Sequence, residues 1–370
     1  MVEIDSLHSD GPGSPPFFII GSGRSGSTLL RMMLVAHSRI AIPPETWFLL
    51  PLFEQVPIDR ALNDDELKRA VALMTSHYRW LDMKIPAQEL REEVDRIVSP
   101  RMKDVVEIVY RIYLKKVGKT RWGDKTPPYV RTVPQLSRLF PGARFIFLIR
   151  DGRDVAKSFQ KLMAYGMTIR QNAIEWMEAN RWERKWALSE YADSILHVRY
   201  EDLVLDPEPT LRRVCEFIGE QFEPQMLTWQ EGVERMVPAR EHFMHTKLTR
   251  NMKHDDIERW RREMTASELF VAEALMGRDL RRFGYAIHFR APLWSPILVL
   301  TRVYCEYLLP ISPVRALRVL GRLARKRPAA LTDAVSSNGG AGESLTARET
   351  QAAGQRAVDP AKVRWRGFVR

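Results

Sequence analysis

The stretch from Phe17 to Leu30 constrains this chain most: an apolar run, Phe17-Phe18-Ile19-Ile20, enters a turn with glycines at 21, 23 and 26 and then a helical pattern. A buried strand feeding a helix through glycines aims several backbone N–H groups and the positive end of a helix dipole at one point, which suits a phosphate. The spacing from Gly21 to Gly26 fits G-x-x-x-x-G-K-[ST], but Ser27 stands where the lysine belongs. A nucleoside triphosphatase needs that lysine on its outer phosphates. The loop therefore predicts phosphate binding and argues against ATP or GTP. A plain glycine turn between a core strand and a helix is the alternative, and the rest of the chain must decide between them.

The remaining pattern alternates strands with helices. Strands are expected over 17–20, 144–149 and 194–200, and helices over 27–36, 64–82, 87–98, 102–117, 152–164, 169–189 and 209–218, the last closed by Gly219. Residues 40–45 read as extended, because Pro43 and Pro44 disfavour helix before them. Residues 144–149 are too continuously apolar for a half-exposed strand, which predicts a parallel sheet covered on both faces. The three helices over 64–117 read as a cap over the site. Arg150 leaves the C-terminal end of its strand, where open α/β sheets place ligands, and Ser158 lies two helical turns further on. One guanidinium and one hydroxyl can share a phosphate there; an ordinary helix start with flanking charges is the alternative.

The loop with Arg24-Ser25-Gly26-Ser27-Thr28 in place of the lysine form resembles that of sulfotransferases that use 3′-phosphoadenosine-5′-phosphosulfate (PAPS). The resemblance implies a P-loop-like three-layer α/β sandwich with a central parallel sheet and a helical cap. It also implies that Gly23, Arg24, Ser25, Gly26, Ser27 and Thr28 hold the 5′-phosphosulfate. Arg150 and Ser158 match the family's pair for the 3′-phosphate, an arginine followed eight residues later by a serine. Glu45, 21 residues after Arg24, matches the catalytic glutamate of the tyrosylprotein and heparan branches, and its setting beside Trp47 and Phe48 predicts a carboxyl raised by desolvation. His37 is the second candidate base, since small-molecule sulfotransferases use histidine; it also reads as a structural histidine at a helix end. The string Lys125-Thr126-Pro127-Pro128-Tyr129 is similar to one in the heparan branch whose lysine lies near the transferring sulfate, so Lys125 and Arg24 are assigned to the charge that develops on the leaving phosphate oxygen. Arg24, where small-molecule enzymes carry lysine, places the chain nearer the tyrosylprotein and carbohydrate branches. Tyr200 is similar to a tyrosine near the adenosine, and Arg250, ten residues before Trp260, to a donor-binding residue; a core tyrosine and a basic loop are the alternatives. The resemblance covers about residues 16–290, after a leader over 1–15.

The net charge of +11 suggests nucleic acid until it is located. Residues 311–370 hold 12 Lys+Arg against 4 Asp+Glu, so the other 310 residues carry only +3 of that excess, and no nucleic-acid footprint is expected. Residues 292–327 are apolar and then basic, too broken for a spanning helix; they suit either a membrane surface or docking on the domain. A disordered tail is expected over 328–370. Cys215 and Cys305 read as separate packed thiols, and the acidic start lacks a signal-peptide pattern, so a cytoplasmic protein is expected, peripheral at the inner membrane face if 292–327 binds there. No metal-ligand spacing is present in the sequence, so PAPS with PAP as its product and no metal is the expected cofactor set. The expected reaction is sulfuryl transfer to an acceptor hydroxyl on a lipid, saccharide, peptide tyrosine or small metabolite. The alternatives are a kinase or nucleotidase with a degenerate loop, and a non-catalytic PAP-binding module at a membrane surface.

Overall fold

The computed structural model describes residues 14–161, 168–230 and 257–288. Residues 1–13 of the leader, Arg250, Cys305, the 292–327 segment and the 328–370 tail lie outside the described residues. The described residues fall in the compact unit Met1–Ala291.

Five strands, β1 (Phe17–Gly21), β2 (Ile40–Ala41), β3 (Arg121–Lys125), β4 (Arg144–Ile149) and β5 (Ile195–Arg199), form one sheet in the order β2-β3-β1-β4-β5, every pair parallel. β1 is buried along its whole length, which a strand with helices on both faces requires. Because β1 pairs in parallel with β3 and with β4, the C-terminal ends of all three meet at one edge. The glycine loop leaves β1 there, Lys125 ends β3, and Arg150 follows β4.

The polar string Arg121-Trp122-Gly123-Asp124-Lys125 is not legible as a strand, yet it forms one because neighbours satisfy its polar groups. Arg121, 3% exposed, donates to the carbonyls of Ser14 (2.7 Å) and Ile218 (3.1 Å) and lies over the Phe17 ring. Gly123 faces Phe17 in the β1–β3 register.

The first helix, α1 (Ser27–Val35), starts at Gly26 and has no acidic residue in its first turn, which leaves its positive end open to an anion. At its other end Lys119 donates to the carbonyls of Val35, His37 (3.0 Å) and Ile40 (2.8 Å), supplying the cation that the helix's own last turn lacks. α2 (Leu49–Gln55) follows β2. Of the three helices expected as a cap, α3 (Asp64–Thr75), α4 (Ala87–Val94) and α5 (Met102–Val117), the last packs on the sheet, its Tyr110 stacking on Trp122 of β3 at 3.9 Å. The helix expected over 64–82 instead ends at Thr75, and a short 3-10 turn spans Trp80–Met83. The break resets the phase so that Trp80 packs into the core while Leu81 is 76% exposed.

α6 (Val133–Leu139) leads into β4. α7 (Gly152–Lys161) and α8 (Ile169–Ala187) follow it, and α9 (Tyr200–Leu205) and α10 (Pro207–Ile218) follow β5. The final described helices are α11 (Trp260–Glu263) and α12 (Ala266–Arg282). Arg153 fastens them to α7: its guanidinium, 1% exposed, bonds both Asp151 oxygens (2.9 and 2.7 Å), Glu273 (2.5 Å) and the Ala286 carbonyl (2.9 Å), and lies 3.8 Å from the Trp260 ring centre. Among the described residues no helix is long and apolar enough to cross a membrane.

A Cβ on Gly123 would lie 2.4–2.8 Å from Phe17 ring atoms. Gly123→Ala is expected to lower the unfolding free energy by about 1–3 kcal/mol, read as a drop in urea midpoint at constant slope.

Candidate active site

Two clusters stand at the shared strand edge. In the first, the β1 loop turns through Arg24 (φ 65°) and Gly26 (φ 94°). A left-handed arginine is uncommon and is held here by its surroundings. Its Nε donates to Ser158 Oγ at 3.2 Å, and its carbonyl accepts from Arg150 Nη1 at 3.3 Å. The Arg150 guanidinium lies 4.2 Å from the centre of the Tyr200 ring, and Asp154 stands 3.9 Å from its other nitrogen. The same ring explains Gly26, where a Cβ would come within 2.3 Å of it. Residues 24, 26, 150, 158 and 200, far apart in sequence, are thus brought together. Burial and the repulsion of Arg150 lower the Arg24 pKa to about 10, with Glu45 pulling the other way. Ser25 and Ser27 are buried beneath the turn, Gly23 and Thr28 half-buried; Ser25 Oγ has no hydrogen-bond partner.

The second cluster is built on Glu45. Lys125 Nζ donates to its Oε1 at 2.6 Å, the Trp47 indole N–H donates to its Oε2 at 2.8 Å, and Arg79 stands 3.7 Å from Oε2. The sequence argument for a raised carboxyl is corrected here. Burial does push Glu45 up, but Lys125, Arg79 and the hydrogen bonds from Lys125 and Trp47 outweigh it and hold the pKa at about 2. Trp47 acts through its polar N–H, not as an apolar wall, while Phe48 turns into the core against Trp80. Burial, with Arg31 and Arg79 nearby, lowers the Lys125 pKa against the attraction of Glu45.

Arg79 escaped sequence reading because it lies in the cap turn after α3, with no motif around it. His37 stands elsewhere. Its Nδ1 accepts from the Arg39 N–H (3.0 Å), so Nε2 carries the hydrogen and donates to the Gln221 carbonyl (2.9 Å), a structural arrangement. Among the described residues no group of three His, Cys, Asp or Glu could hold a metal ion.

Residues 15–224 match the model of the Sulfotransferase family. The chain belongs to this family. It is 28% identical over 289 residues to the nodulation protein NoeE of Sinorhizobium fredii, covering 71% of this chain and 64% of NoeE. It is also 28% identical over 228 residues to a protein-tyrosine sulfotransferase of Drosophila melanogaster, covering 60% and 41%. The chain thus spans less than two thirds of the length of these two relatives. Among solved structures, the sulfotransferase domain from the curacin biosynthetic pathway superposes with a TM-score of 0.53 at 23% identity, covering 75% of this chain and 99% of that domain, which supports the α/β fold. The family resemblance drawn from the loop and the Arg150–Ser158 pair is borne out.

Gly26→Ala meets both a left-handed backbone and the Tyr200 ring, whereas Gly118→Ala meets a left-handed backbone (φ 67°) with open space around it. Chemical denaturation is expected to show a loss of about 1 kcal/mol for Gly118→Ala and about 2–4 kcal/mol for Gly26→Ala.

Proposed function

We propose that this sulfotransferase-family chain takes its sulfuryl group from PAPS, delivers it to an acceptor hydroxyl and releases PAP. The observation that carries this reading is the 3.2 Å contact of Arg24 with Ser158, which joins the phosphate loop to the Arg150 element across 134 positions, beside the Glu45–Lys125 pair. The chain's residues fit the donor. Ser25 Oγ is a buried hydroxyl without a partner in the phosphate loop, and the positive end of α1 carries no competing carboxylate. Arg150 and Ser158 would hold the 3′-phosphate, and the loop of Gly23 to Thr28 the 5′ end, with Tyr200 beneath Arg150. Bound there, the donor supplies an activated sulfuryl group.

Glu45 takes the acceptor proton. Paired with Lys125 it is a weak base, since a base works best with a pKa near the working pH. Lys125 also serves the oxygen on which negative charge develops, and any displacement of its Nζ from Oε1 restores proton affinity to Glu45. Arg24, within charge range of Glu45, serves the same oxygen. Arginine stays charged throughout and so stabilises charge without exchanging protons.

The test is thermal melting with PAP, adenosine 5′-phosphosulfate, ATP and GTP, with and without Mg²⁺. PAP at 100 times its Kd should add about 2.7 kcal/mol without metal; a shift only with ATP or GTP and Mg²⁺ would overturn the reading in favour of a kinase. Glu45→Gln is expected to abolish turnover while PAP affinity stays within about threefold. Arg150→Ala is expected to weaken PAP by about tenfold or more and adenosine 5′-phosphosulfate much less, measured by calorimetry.

A further inference from the structure

Asp124 is wholly buried at the end of β3, beside Lys125, and belongs to no motif assigned above. One oxygen, Oδ2, accepts from Thr46 Oγ1 (2.8 Å) and from the Tyr110 hydroxyl (2.8 Å). The hydrogen of Thr46 is thereby committed to Asp124, so the Tyr129 hydroxyl donates to Thr46 Oγ1 at 2.7 Å, and the Leu49 N–H donates to Tyr129 at 3.3 Å. The Thr46 N–H donates to Thr126 Oγ1 at 3.1 Å. Thr46 is therefore fixed at backbone and side chain, and its neighbours in sequence are Glu45 and Trp47, the latter with φ 57°. From the other side Arg31 Nε donates to the Ile42 carbonyl at 2.9 Å. The other oxygen, Oδ1, is buried without a hydrogen-bond partner. An aspartate so placed costs stability, since burial raises its pKa to about 6 against the hydroxyls of Tyr110, Thr126 and Thr46 and the charge of Lys125.

We infer that Asp124 is a positioning residue: through Thr46 it holds the Glu45–Trp47 turn in register with Lys125, its own neighbour on β3, so that base and ammonium meet. This rests on the roles proposed for Glu45 and Lys125. A misplacement of about 1 Å in such a pair can cost on the order of 100-fold in rate.

The Trp47 indole N–H is the reporter, because it donates to Glu45. In the ¹⁵N-labelled full chain its resonance is assigned by its loss in Trp47→Phe. The charged and titratable groups around Asp124 are Tyr110 from α5, Tyr129 from the turn after β3, Lys125 on its own strand and Arg31 from α1. In the wild type the resonance should shift with a midpoint near pH 6. Asp124→Asn keeps an oxygen for both hydroxyls, so it should hold the resonance in place, lose that titration and melt no lower than wild type at pH 7.5. Asp124→Leu, and Thr46→Val should the former not fold, are expected to displace the resonance. With water as the sulfuryl acceptor, giving sulfate, they should slow PAP release from PAPS about tenfold or more, with PAP affinity by calorimetry within about threefold. A folded Thr46→Val or Asp124→Leu protein with an unmoved resonance overturns the inference, as does equal loss of rate and PAP affinity. Failure of the wild type to bind PAP would instead overturn the donor reading, and the indole shifts would still decide the role of Asp124.

Discussion

β1 hydrogen-bonds in parallel to β3 on one side and to β4 on the other, and this pairing delivers three distant segments to one edge of the sheet. A parallel neighbour cannot be reached by a short turn, so each strand must be separated by a crossover. The crossover from β1 to β3 is long enough to include the cap, and the one from β3 to β4 brings Arg150 to the opposite flank of the loop. The register then decides which side chains meet. Ile19 lies opposite Lys125, so the ammonium emerges beside the start of the glycine loop.

Around Glu45 the chain gathers Lys125 and Arg79 in contact and Arg24 and Arg31 within charge range. Burial lowers the pKa of Arg24, Arg31 and Lys125, and the one carboxylate of Glu45 pulls each of them back up only in part. A cluster with more cations than carboxylates is ill-suited to a neutral ligand alone and well-suited to a negatively charged one. The left-handed Arg24 and Trp47 both border this cluster. Strained backbone at such positions is a usual companion of functional geometry.

Much of this was readable in order. β1 and β4 are continuous apolar runs and the turn between β1 and α1 is dense in glycine, so their local chemistry dictates their form. Arg150 and Ser158 were legible because a fixed helical spacing links them. β3 was not, because a strand of Arg121, Gly123, Asp124 and Lys125 has no apolar period and exists only through partners supplied elsewhere. Arg79 and the Asp124–Thr46 contact were hidden for the same reason: each joins segments more than 30 residues apart, where no local pattern reports the meeting. The protonation of Glu45 was misjudged because its apolar neighbours are visible in sequence while the ammonium of Lys125, 80 positions away, is not.

The Arg153 anchor ties residues beyond the family match to α7. The family match ends at residue 224, yet Arg153 on α7 is satisfied in part by Glu273 and the Ala286 carbonyl, and Asp154 accepts from the Trp260 N–H at 2.8 Å. A fragment cut at the end of the match would strip the guanidinium of Glu273 and the Trp260 ring and expose the α7 face that carries Asp154 to water. The helix whose Ser158 accepts from Arg24 would then lack its outer support. Residues 257–288 thus act as a buttress for α7, and a chain that keeps the Arg24–Ser158 contact supported extends well past the span by which the family is recognised.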